Sequence, residues 1–82
     1  MENKIKILLN NQVNVRMLVN VTNTYPFDID IKSIKYSSVL DAKSLLGILS
    51  MDFNNPLLLE LQTDDEKLIA QFKQDIQPFI VE

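Results

Sequence analysis

A chain of 82 residues with 46% apolar side chains has enough material for one small domain, 1–82, and argues against disorder. Its 8 basic and 11 acidic residues give a net charge of −3 with no basic stripe, which speaks against nucleic-acid binding. No cysteine is present, so a disulfide framework and thiolate chemistry are excluded, and no apolar run approaches a membrane span.

Lys4-Ile5-Lys6-Ile7-Leu8-Leu9 alternates, which predicts a strand burying Ile5, Ile7 and Leu9 rather than a signal h-region. With the missing cysteines, this places the protein in the cytoplasm. Asn10-Asn11-Gln12 breaks the strand. Val13 to Tyr25 reads two ways. Val13, Val15, Val19 and Val21 favour a strand by β-branching, while Met17, Leu18, Val21 and Tyr25 fit a helical face that starts at Asn14 or Val15. Pro26 ends the element in either case. Phe27, Ile29 and Ile31 alternate through a strand reaching Lys35, Tyr36-Ser37-Ser38 forms a turn, and Val39-Leu40-Asp41 is a short return strand.

A helix then starts at Ser44, whose hydroxyl suits an N-cap. Ile48 and Met51 are spaced to enter a core, and Leu45, Leu46 and Leu49 lie on an adjacent stripe. Those leucines either complete the core or form an exposed docking patch with Ser44 at its edge and Arg16 on the same side. Asn54-Asn55-Pro56 is a loop. Leu57-Leu58-Leu59-Glu60-Leu61 is a strand burying Leu57, Leu59 and Leu61. Thr63-Asp64-Asp65-Glu66 reads as a capping box rather than a metal site, so no metal is expected. The helix it opens buries Leu68, Ile69, Phe72 and Ile76 and stops at Pro78. Four strands with helices on one face make an α+β open-faced sandwich.

Laid out in this order, the chain resembles HPr, the small phosphocarrier of the bacterial sugar phosphotransferase system. Asp41-Ala42-Lys43-Ser44-Leu45-Leu46-Gly47-Ile48-Leu49-Ser50 is similar to the Asn-Ala-Lys-Ser segment and following helix of that family, whose serine is presented to a regulatory kinase. The resemblance implies a four-stranded antiparallel sheet with three helices on one face. It also implies a helix from about Val15 in the ambiguous stretch. The family's active loop, Gly-Leu-His-Ala-Arg-Pro, matches Gln12-Val13-Asn14-Val15-Arg16-Met17. Arg16 is kept, but Asn14 stands where the phosphorylated histidine belongs, and the chain has no histidine. A carboxamide nitrogen is not nucleophilic, so histidine-based phosphoryl relay is excluded.

The resemblance is therefore closest to the His-lacking paralogues of the Crh type, which keep the regulatory serine. It implies a non-enzymatic regulatory protein without a cofactor. Its partners would be proteins: a serine kinase or phosphorylase acting on Ser44, and a transcription regulator. Ser44 contributes about 1 kcal/mol as an N-cap whether or not a kinase meets it. Arg16 is either a solvated side chain or the remnant of an anion site. Lys43 is expected in solvent, where it could steer an acidic partner towards Leu45, Leu46 and Leu49.

Overall fold

The computed structural model describes residues 3–35 and 38–81. Strand β1 (Lys4–Ile7) buries Ile5 and Ile7 and leaves Lys4 and Lys6 exposed, as its alternation dictates. Leu9 is buried too, but lies beyond the strand's end. Asn10 then takes φ 71°, the left-handed region that asparagine tolerates better than most residues with a Cβ. Its N–H donates to the Phe53 carbonyl at 3.0 Å. Asn11 follows in extended conformation and accepts the Asn14 N–H on its side-chain oxygen at 2.8 Å. That cap starts helix α1 (Gln12–Thr22) at Gln12, ahead of the Val15 start the family pattern implies.

The strand-like valines do not prevent the helix. Valine costs only about half a kcal/mol per helical position relative to alanine, whereas a fully buried valine or leucine contributes about 1.5–3 kcal/mol. Val15, Leu18, Val19 and Thr22 are buried at i, i+3, i+4 and i+7, one continuous stripe. This stripe is rotated from the expected face: Met17 is exposed and Val21 only half-buried.

Strand β2 (Ile29–Ser33) buries Ile29 and Ile31. Phe27 precedes it and, with Phe72, brackets the Tyr25 ring at centroid distances of 5.5 and 5.1 Å. The turn expected at Tyr36-Ser37-Ser38 lies mostly outside the described residues. Strand β3 (Val39–Asp41) leads into helix α2 (Leu45–Leu49), and β4 (Leu57–Leu61) buries its three odd-numbered leucines. Helix α3 (Glu66–Asp75) is capped by Asp65, whose carboxylate accepts from the N–H groups of Lys67 and Leu68. The cap is therefore not Thr63, whose hydroxyl accepts from the Asp65 N–H instead. An ionised acceptor makes the stronger hydrogen bonds. Ile69, Phe72 and Ile76 are buried as expected and Leu68 is half-buried. The helix ends at Asp75, and Pro78 falls within a 3-10 turn, Gln77–Phe79.

The strands form one antiparallel sheet in the order β1-β4-β2-β3. Three helices cover one face, giving the expected α+β open-faced sandwich. Residues 79–81 return along the outer edge of β1. Leu8 N–H donates to the Phe79 carbonyl and Val81 N–H to the Lys6 carbonyl, each at 2.9 Å, with an Ile7–Ile80 bridge between them.

Candidate functional site

Asn14 sits in the first turn of α1, half-buried. Its backbone N–H is taken by the Asn11 cap and its side-chain Nδ2 donates to the Leu9 carbonyl at 2.7 Å. The amide is thus turned back onto the β1–α1 connection and braces it. Arg16 is exposed, and residues two apart on a helix do not face each other, so it does not join Asn14 in one anion pocket.

Ser44 caps α2. Its Oγ accepts the Gly47 N–H at 3.2 Å, its carbonyl accepts from Ile48, and its own N–H donates to the Asp41 carbonyl. Gly47 permits this approach, because a Cβ there would lie 3.2 Å from Ser44 Oγ and 3.4 Å from Ser44 Cβ. The segment just before Ser44 is tied to the end of α1 by side chains. Thr22 Oγ1 donates to the Ala42 carbonyl at 2.9 Å and Asn23 Nδ2 to the Lys43 carbonyl at 3.2 Å, while Lys43 Nζ donates to the Tyr25 carbonyl at 2.9 Å. Lys43 is therefore half-buried and committed to the fold, not the freely solvated side chain expected. The Tyr25 hydroxyl donates to Asp75 of α3, and its pKa is pushed up to about 12, chiefly by burial and then by that carboxylate. This chain of bonds runs from α3 through the end of α1 to the residues that hold Ser44.

Leu46 is 81% exposed, whereas Leu45 and Leu49 are half-buried against the core with Ile48 fully buried. The expected three-leucine exposed patch is thus corrected to Leu46 alone. Positions 45, 48 and 49 are i, i+3 and i+4, so they form the inward stripe of the short helix, between β3 and α1. Met51 is half-buried as well, beyond the end of α2.

Exposed apolar side chains occur on α1 as well, outside the leucine stripe of α2. Val13 is 66% and Met17 49% exposed, one turn apart on the outward side of the helix. Their spacing is visible in the sequence, but a segment that reads equally as strand or helix does not tell which of its faces is outward. Val13 and Met17 are thus exposed on α1 and Leu46 on α2, two helices that pack against each other on the same side of the sheet.

Among the described residues no catalytic constellation accompanies these side chains. A groove of about 420 Å³ lined by Ser33, Ser38, Leu40, Ser50, Met51 and Asp52 offers hydroxyls but no histidine or lysine to act as their base. Among the described residues, no group of three His, Cys, Asp or Glu side chains could hold a metal ion, and no helix is long and apolar enough to cross a membrane.

No protein-family model and no curated protein sequence matches the chain. Among solved structures it is similar to the crystal structure of HPr-C-His from Thermoanaerobacter tengcongensis. The TM-score is 0.69 at 20% identity, over 93% of this chain and 90% of that one. Fold and topology define the class: an HPr-like open-faced sandwich. At this identity the likeness extends to the fold.

Proposed function

We propose that the chain is an HPr-related regulatory or interaction protein of the sugar phosphotransferase system, non-enzymatic and cytoplasmic, that has lost histidine phosphotransfer. The observation that carries this reading is Asn14. By the sequence resemblance it stands at the position of the family's histidine; the chain has no histidine, and the Asn14 side chain is occupied with a structural bond to the Leu9 carbonyl. Such a residue offers neither a nucleophile nor a free group for phosphoryl transfer.

In this reading Ser44 is the switch. It is half-buried at the start of α2, with exposed Leu46 two residues on. Phosphorylation would add about −1.5 to −2 charges beside the free N–H groups of the first turn, altering the surface without unfolding the helix. The partners are a serine kinase or phosphorylase and a transcription regulator docking on Val13, Met17 and Leu46. One observation favours the rival, an unmodified scaffold module: Ser44 Oγ is already engaged as an N-cap acceptor.

Incubation with the general phosphotransferase enzyme and labelled phosphoenolpyruvate tests the first half of the reading. The protein stays unlabelled, and an acid-labile label on it would overturn the proposal. Incubation with an HPr serine kinase and labelled ATP tests the second half. Label lost in Ser44→Ala supports the switch, and no label on the wild type leaves the scaffold.

A further inference from the structure

Ala42 and Lys43, which lead into the Ser44 cap, are tied to the end of α1 and the turn after it. Thr22 Oγ1 and Asn23 Nδ2 donate to their carbonyls, and the Lys43 ammonium crosses in the other direction to the Tyr25 carbonyl at 2.9 Å. Tyr25 is also fastened to α3, in two ways. Its ring meets Phe72 edge-on at 5.1 Å, and its hydroxyl donates to the Asp75 carboxylate. One residue thus carries the Lys43 contact on its backbone and the α3 contacts on its side chain. Tyr25 is 6% exposed, so a shift of its ring is passed to its own backbone rather than absorbed by solvent.

We propose that Tyr25 couples the Ser44 segment to the C-terminal end of α3, so that the two open together. The second state is a local opening in which Lys43 leaves the Tyr25 carbonyl for water and residues 41–44 come away from the turn. Helix α2 has only five residues and few bonds of its own to resist this. Loosening Tyr25 from α3 favours the opening. Opening at Lys43 in turn loosens Tyr25 from α3, because coupling between two sites is reciprocal. Whatever engages the end of α3 therefore changes how firmly Ser44 is held, whether or not Ser44 is phosphorylated.

The test is native-state amide exchange on the full chain, read by NMR at the N–H groups of Ala42, Ser44 and Ile48. These donate to the carbonyls of Ile29, Asp41 and Ser44 at 2.8, 3.0 and 3.1 Å. Asp75→Ala removes the acceptor of the Tyr25 hydroxyl at an exposed position on a different helix. Beyond any change in global stability, it speeds exchange at all three groups at least ~fivefold, the lower end of coupling between sites. Lys43→Met removes the ammonium and has the same effect. It also speeds the Ile76 N–H, which donates to the Phe72 carbonyl at 3.1 Å. In K43M/D75A the two accelerations do not multiply, because both act by freeing one residue. Gln74→Ala, the exposed neighbour of Asp75, leaves the three groups at wild-type rates. Thermal melts of every variant supply the global stability against which the rates are read. Rates at Ala42, Ser44 and Ile48 that ignore Asp75→Ala, a Gln74→Ala variant that matches it, or single effects that multiply in the double variant overturn the proposal.

Discussion

Among the described residues Thr22 is the one buried polar residue of the core, and replacing it with valine tests whether α1 holds the Ser44 segment in place. The hydroxyl has a single proton, shared between the carbonyls of Val19 and Ala42, each 2.9 Å away. Val19 loses little, since its carbonyl also accepts from the Asn23 backbone N–H at 3.0 Å and from Asn23 Nδ2 at 2.8 Å. The Ala42 carbonyl has no other partner among the described residues, and Ala42 is fully buried. An acceptor left unpaired in such a place costs about 1–3 kcal/mol. The added methyl returns up to about 0.8 kcal/mol, and helix propensity is nearly unchanged between threonine and valine. The net loss is about 1 kcal/mol, a fall in Tm of about 4–8 °C for a domain of this size. The loss is local, so amide hydrogen exchange in Ser44–Leu49 speeds up by more than the global change accounts for. Thr22→Ser keeps the donor and leaves α2 protected. An unchanged Tm with unchanged exchange in α2 would show that the Thr22–Ala42 bond does not hold this segment.

Leu46→Ala leaves the melt within about 0.5 kcal/mol of wild type, as expected for an exposed side chain, and weakens partner binding by about 1–2 kcal/mol in calorimetry. Ile48→Ala, two residues away and fully buried, costs about 2–5 kcal/mol in urea unfolding. Ser44→Ala destabilises by about 1 kcal/mol, while Ser44→Asp, an equally good N-cap with a charge suited to the helix dipole, melts at or above wild type. Tyr25 has a folded pKa raised to about 12 against an ordinary value of 10.0. The folded state therefore binds more protons than the unfolded state between those values, and stability falls as pH rises through them. Tyr25→Phe removes that part of the alkaline loss in a series of melts from pH 9 to 12.

Strands were the most legible part of the chain. Leu57, Leu59 and Leu61 share a face in a segment too short and too regular for a helix, and Ile5 and Ile7 repeat the same pattern. Helix α1 was less legible, because its start depends on Asn10 in the left-handed region and on the Asn11 cap rather than on its valines. Sequence alone puts the N-cap of α3 two residues early, since Thr63, Asp64 and Asp65 are all good caps locally, and only the fold decides which carboxylate faces the free N–H groups. At the candidate site, the sequence places Ser44 at a helix start, where it caps α2 in the structure. It does not place the sector of α2 left to solvent, because that depends on where α1 packs. That contact exposes Leu46, draws in Leu45 and Leu49, and leaves Val13 and Met17 outside.

The return of residues 79–81 along β1 sets an order of assembly. β1 has β4 on one side and this returning segment on the other, so every neighbour of the first strand is synthesised more than 45 residues after it. The hydrogen-bonding groups of Lys4–Ile7 therefore wait unpaired in the nascent chain while α1, β2 and β3 are already made. Contacts so distant in sequence slow folding, and an apolar strand without its partners is open to wrong pairing. Lys4 and Lys6, alternating with the isoleucines, keep charge on the segment during that interval. A chain stopped before residue 79 would have β4 in place but leave the outer edge of β1 bare.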